Sequence, residues 1–259
     1  LATVQKYRAL IVRPTSACAC VRTERGGGGV ARTSLPAPLH RAALRLHPLA
    51  SKNMFFTIGV HPHHANEINA KYLEKLKEVI NKNNPHAIGE TGLDFFRNLS
   101  TYEEQMYAFE EQIKIAIDTN KPLFLHQRDS HEDFIKILRK YSSDISKAVV
   151  HCFTGTQSQL DDYLELDCYI GVTGWICDEK RNVELRKTIK NIPLSKLMIE
   201  TDCPYLIPKN LLDKPKNNRN EPSYLNHIVT EISILLDIDE EDIRKESFKN
   251  TLSFFQSVN

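Results

Sequence analysis

Imidazoles and carboxylates recur at one kind of position in this chain. His61 and His63, Glu90, His126, His151 and Asp202 each lie at or just past the end of a short apolar run. Any one of them alone has a plain explanation: His126 as a core histidine, Glu90 as a capping or salt-bridged acid, Asp202 as the opener of a turn at Cys203-Pro204. Five such positions in succession need a common reason, and a shared divalent ion supplies one. Nitrogen and oxygen ligands without cysteine suit hard or borderline cations such as Mg²⁺, Mn²⁺ or Zn²⁺. With Glu90 bridging two ions, the chemistry expected is hydrolysis. Such ions lower the pKa of a water and stabilise both the attacking and the leaving oxygen of a displacement at phosphorus.

Residues this far apart meet only if the elements carrying them end at one place, as the strands of an eight-stranded α/β barrel do. From Phe55 onward strand and helix signals alternate with short connections, the pattern of βα units around a parallel sheet. Strands are expected at Phe55–Val60, His86–Glu90, Leu123–His126, Ala148–His151, Cys168–Val172 and Leu197–Glu200. Apolar spacing predicts helices over Lys71–Asn83, Thr101–Asn120 and His131–Tyr141, with two more at Ser223–Leu236 and Glu240–Phe255. Ser100 or Thr101, followed by Glu103 and Glu104, reads as a helix start. The fold class expected is a TIM-type (β/α)8 barrel of the metal-dependent hydrolase kind. Six strands are two short of eight, so the barrel is expected to be incomplete at its N-terminal strands.

Composition changes near Ser51. Residues 1–50 hold Arg, Ala, Gly and Pro, a run of four glycines from Gly26, one acid (Glu24) and no asparagine, whereas the remainder is rich in Lys, Asn and Ile. Two units are therefore expected: an atypical, unstructured segment over 1–50 and the barrel over 51–259. An Arg-rich, acid-poor start reads either as an organelle transit peptide or as a linker foreign to the domain. The location expected is accordingly cytoplasmic, or mitochondrial or another organelle on the transit-peptide reading. The 259 residues, 41% hydrophobic and 26% charged, suit one large core, and no apolar run is long enough to cross a bilayer. Six irregularly spaced cysteines read as free thiols. A net charge of +1 leaves polyanion binding to a local patch rather than to bulk attraction.

The runs carrying these residues are themselves distinctive. Gly59-Val60-His61-Pro62-His63, Gly89-Glu90-Thr91-Gly92-Leu93-Asp94, Leu125-His126-Gln127-Arg128, Val150-His151-Cys152-Phe153-Thr154-Gly155, Gly171-Val172-Thr173-Gly174-Trp175, Ile199 to Leu206 and Arg219-Asn220-Glu221-Pro222 stand in the order and spacing of the TatD-family deoxyribonucleases. From about Asn53 to Phe255 the chain resembles that family. The resemblance implies a metal-dependent 3′ to 5′ exonuclease on single-stranded DNA or RNA, linked to DNA repair or degradation. It implies Glu90, His126, His151 and Asp202 as ligands of one or two divalent ions, Mg²⁺ first among them. His61 would contact the substrate phosphate or support the site, with His63 beside it. Glu200 would back the ligands or handle a proton, and Arg128 and Glu221 would be phosphate-binding and site-organising groups. Members of the family begin with a strand carrying His-x-His or an Asn-containing segment, and neither has an equivalent before Asn53.

Substrate contacts are expected from Lys209, Lys214, Lys216 and Arg219 in a basic loop, which reads equally as a solvated surface. Trp175, Tyr205, Phe95 and Phe96 offer rings for stacking on bases, or, for the phenylalanines, core packing. Two other functions stay open on the residues alone: a small-molecule amidohydrolase on the same barrel, or a truncated, weakly active or inactive nucleic-acid-binding remnant. Neither a membrane nor an obligate protein partner is expected.

Overall fold

The computed structural model describes residues 10–13, 18–21 and 55–256. A short antiparallel ribbon comes first, β1 (Leu10–Arg13) paired with β2 (Cys18–Val21). Both strands fall within the 1–50 segment that composition sets apart from the rest. The rest of the expectation for residues 1–50 lies outside the described residues.

Six parallel strands follow in chain order, each hydrogen-bonded to the next: β3 (Thr57–Ile58), β4 (Ala87–Asp94), β5 (Leu123–Arg128), β6 (Ala148–Val150), β7 (Tyr169–Val172) and β8 (Leu197–Ile199). Helices lie between and after them: α1 (Ala70–Asn83), α2 (Tyr102–Asp118), α3 (His131–Lys140), α4 (Gln157–Glu165), α5 (Val183–Thr188), α6 (Leu225–Leu236) and α7 (Glu240–Phe255). α4 and α5 were not among the expected helices, because nine and six residues give too few turns for a helical period to stand out. Local chemistry sets the boundaries. The Asn69 side chain accepts from Tyr72 N at 3.0 Å to start α1, and a reciprocal Thr101–Glu104 capping box starts α2.

Strand alternation builds two apolar layers. Leu123 and Leu125, Ala148 and Val150, and Leu197 and Ile199 belong to the main core that includes the buried helix faces. Ala87, Phe124, Val149 and Met198 form a second, inner layer with Phe55, Phe254 and Phe255, the Phe55 and Phe255 rings stacking at 5.3 Å. α7 also covers β8: Asn250 Nδ2 donates to Leu194 O and Leu197 O at 2.7 and 2.8 Å, and Ser247 Oγ accepts from Ile199 N at 3.1 Å. This edge is thereby kept from pairing with another chain. Sequential parallel strands with a packed interior and outer helices make a TIM-type α/β barrel. Six of its parallel strands are among the described residues, and among those residues no helix is long and apolar enough to cross a membrane.

Candidate metal centre

The inner layer aims the site. Two residues past Phe124, Val149 and Met198, toward the carboxyl ends of the strands, stand His126, His151 and Glu200. A period of two puts each of them on the same face as its apolar partner. Glu90 arrives differently. β4 pairs Gly89 with Phe124 and Thr91 with Leu125, so Glu90 is the extra residue of a bulge, a device that re-aims a side chain.

Two buried glutamines on α2 hold the adjoining backbone. Gln112 accepts from Val60 N at 2.6 Å and donates to Val60 O at 3.0 Å and Thr91 Oγ1 at 2.7 Å, fixing the entry to His61. Gln105, two turns earlier, accepts from Asp94 N at 2.8 Å. The sequence reading gave neither a role. Their seven-residue spacing beside the apolar stripe of Phe109 and Ile113 was the available signal.

Glu90 Oε1 is the focus of the centre. His126 Nδ1 lies 2.9 Å from it, His61 Nε2 3.3 Å and His151 Nε2 3.5 Å. The far nitrogen of two of these rings meets a carboxylate: His126 Nε2 lies 3.3 Å from Asp94 Oδ2, and His151 Nδ1 lies 2.9 Å from Glu200 Oε2. A neutral imidazole has one N–H, and when the outer carboxylate takes it the inner nitrogen presents a lone pair. Two lone pairs turned toward a carboxylate oxygen require positive charge between them, as protons or as a cation. As protons, the cost of burial is outweighed by Glu200, Glu90 and Asp202, and the His151 pKa is pushed up to about 10. For His126 burial again opposes the charge, and hydrogen bonds with Asp94 and Glu90 raise the pKa. A buried set of this kind fits a hard or borderline divalent ion.

Proximity also groups His61 with Glu90 and His126, the three ligand atoms lying within 4.8 Å of one another. Hydrogen bonding separates it from the other two rings. His61 Nδ1 accepts from His63 N at 3.2 Å, which leaves the proton of the neutral ring on Nε2 and makes that nitrogen a donor. His63 in turn reaches Asp94 Oδ2 at 2.7 Å. Burial works against the charge on Asp94, but bonds from His126, His63 and Arg97 N hold its carboxyl well below the usual range. Asp94 had no assigned role in the sequence reading, although it ends both β4 and the Gly89–Asp94 motif.

The remaining expected residues lie at different depths. Glu200 is buried and also accepts from Cys152 N at 2.7 Å, which suits the expected backing role. Asp202, just beyond β8 with φ 52°, is outside the three-residue group but contributes to the raised His151 pKa. Arg128 is exposed, its guanidinium 3.9 Å from the Phe96 ring centre. Phe96 is exposed as well, whereas Phe95 packs on the core. Arg219, Glu221, Tyr205, Lys209, Lys214 and Lys216 are exposed and Trp175 is partly buried. Glu221 accepts from the Ser223 hydroxyl at 2.6 Å, and the residue before it is tied into the loops after β8. Buried Asn220 donates from Nδ2 to Thr201 O at 2.7 Å, Tyr205 O at 2.6 Å and Leu206 O at 3.1 Å. An amide can donate to these carbonyls and a carboxylate cannot.

A pH dependence follows. The folded His151 pKa is about 10 against a reference of 6.5, so its protonated form stabilises the metal-free fold fully below pH 6.5. That contribution is lost as pH rises through the folded value. Metal ions compete with the same protons, so the rise in melting temperature caused by a fixed concentration of Mn²⁺ should grow from pH 6.5 to 9. A metal-induced shift that stays flat over this range would count against His151 as a ligand.

Comparison with known proteins agrees with the geometry. Residues 16–256 match the family model described as TatD related DNase, reaching further toward the N-terminus than the motifs from Asn53. The 3′-5′ ssDNA/RNA exonuclease TatD of Erwinia amylovora is 40% identical over 232 residues, 90% of each chain. That of Pantoea vagans is 41% identical over 200 residues, 77% of each. Among solved structures, YJJV, a TatD homologue from Escherichia coli K12, superposes with a TM-score of 0.74 at 25% identity, covering 83% of this chain and 81% of that one. A TatD-family hydrolase from Entamoeba histolytica gives 0.73 at 29% identity, covering 84% and 80%. With a family model spanning most of the sequence, the chain belongs to the TatD-related DNase family.

Proposed function

We propose that this protein is a divalent-metal-dependent nuclease that hydrolyses phosphodiester bonds, removing nucleotides 3′ to 5′ from single-stranded DNA or RNA. The observation that carries this reading is the pair of carboxylate-backed imidazoles, His126 and His151, turned toward one oxygen of Glu90. Family membership and the printed activity of the relatives from Erwinia and Pantoea support the substrate.

Glu90, His126, His151 and Asp202 would hold one or two ions, with Mg²⁺ the first choice and Mn²⁺ or Zn²⁺ the alternatives. When bound, such an ion acidifies water and offsets charge on the phosphoryl group. The protein's own groups divide the rest of the work. Asp94 and Glu200 keep the two ligand rings in the tautomer that points a lone pair inward. Asp202 orients the attacking water and accepts its proton. The Nε2–H of His61 and the guanidinium of Arg128 face the charge that develops on the phosphate. His63 steadies Asp94 and borders the substrate, while Trp175, Tyr205, Lys209, Arg219 and Glu221 border the path of the strand.

The test is a nuclease assay on end-labelled single- and double-stranded oligonucleotides with EDTA, Mg²⁺, Mn²⁺ and Zn²⁺ lanes. The expected result is stepwise release of mononucleotides from a single-stranded 3′ end, abolished by EDTA. Strand binding without turnover in every metal would instead identify a binding remnant.

A further inference from the structure

We propose that a cleft between the loops following β7 and β8 binds the nucleotide immediately 5′ of the one being removed. Its base would lie on Trp175 and its phosphate among Arg181, Lys209 and Lys214. This rests on the nuclease reading above and extends it to a second substrate unit. The cleft encloses about 280 Å³, and Trp175, Asp178, Arg181, Leu206, Lys209 and Lys214 are among the residues that line it. That is just below the roughly 300–1,000 Å³ of small-molecule pockets, a size for one nucleotide unit rather than a longer strand.

Its construction ties it to the metal centre. Trp175 comes three residues after the end of β7, and Leu206 four residues after Asp202, so the cleft opens from the carboxyl ends of strands flanking the site. The two loops touch because residue 174 is glycine: a Cβ there would meet Leu206 O at 2.6 Å. Asn220 holds the Tyr205 and Leu206 carbonyls from behind, so the wall does not depend on a bound strand. The Trp175 backbone N–H donates to Thr173 Oγ1 at 3.4 Å.

The charge is one-sided. Three cations line the cleft against one carboxylate, Asp178, which is already engaged: it accepts from Arg181 N at 3.2 Å and lies 3.9 Å from Arg181 Nε. In a chain whose net charge is only +1, this is the local cationic patch that a polyanion needs. A ring for stacking, apolar side chains of Leu206 and Ile207, and cations spaced around them match the groups that hold single strands by base face and phosphate.

Trp175 is the only tryptophan in the chain, so intrinsic tryptophan fluorescence reports on this cleft alone. The experiment titrates oligothymidylates of one to four nucleotides into the full-length protein in EDTA, where no turnover is expected. It repeats the titration at several salt concentrations and with the Lys209→Ser/Lys214→Ser double variant. The expected result is saturable quenching, tighter for two nucleotides than for one, weakening with salt, and roughly tenfold weaker in the double variant. If the assay above shows turnover but saturating oligonucleotide leaves the fluorescence unchanged and the double variant binds as well as the parent, the cleft proposal is overturned and the nuclease reading stands. If quenching occurs without turnover in any metal, the cleft stands as a strand-binding site and the nuclease reading fails. Absence of both removes both.

Discussion

Glu90→Gln is expected to lower kcat/KM for single-stranded DNA by more than about 10³-fold and to remove the metal-induced rise in melting temperature. Glutamine is the same size, so the bulge between Gly89 and Thr91 and the packing around it have no reason to change. The charge does change. Glu90 Oε1 is the point toward which His126, His61 and His151 converge, and a neutral amide there leaves Asp202 as the one charged ligand to offset the ion that the two lone-pair nitrogens would share. Losing one preorganised electrostatic group commonly costs about 10²–10³ in kcat, and loss of an outer partner of a metal ligand about 10–100-fold. A central charged ligand stands above both ranges. The check is kcat/KM on a labelled oligonucleotide together with thermal melts with and without Mn²⁺. A variant within tenfold of the parent that keeps its metal shift would show that Glu90 does not hold the ion.

What could be read from the chain depended on whether the determining interaction was local. The period-two rule that makes Phe124, Val149 and Met198 an inner layer also makes His126, His151 and Glu200 point the same way, so apolar runs with a polar group at the end were visible without coordinates. Glu90 was visible as a residue type, but the bulge that turns it is a matter of register between two strands. Asp94, Gln105 and Gln112 were not assigned because their partners lie up to 52 residues away and only the packing of α2 against β4 and the segment after β3 brings them together. Asn220 illustrates a second limit. The Arg219–Pro222 motif was found, but which member is buried and which meets solvent is decided by the loop carbonyls of Thr201, Tyr205 and Leu206. The His61 tautomer, too, depends on a backbone N–H from His63 that no spacing rule predicts.

Glu200→Gln and Gly171→Ala should produce the same defect from opposite sides. Glu200 accepts from His151 Nδ1 at 2.9 Å with one oxygen and from Cys152 N at 2.7 Å with the other. Glutamine offers one acceptor and one donor, so one of the two N–H groups must face an NH₂. If Cys152 N is the loser, a buried donor is left unsatisfied at about 1–3 kcal/mol. If His151 is the loser, its ring is free to leave the tautomer that points Nε2 at Glu90, and metal affinity or activity should fall about 10–100-fold. Gly171 enters from the neighbouring strand. A Cβ there would lie 2.1 Å from Glu200 Oε1 and 3.0 Å from its Cδ, with His151 Cα 3.2 Å away. The carboxylate, held at both oxygens, cannot swing aside without giving up one of the same two bonds. Gly171→Ala should therefore lose metal affinity within the same 10–100-fold range, and combining it with Glu200→Gln should cost clearly less than the sum, because both act on one contact. Calorimetric Mn²⁺ titration of the two single variants and the double variant measures this directly. Parent-like affinity in Gly171→Ala would mean that the Glu200 carboxylate does not set the orientation of His151.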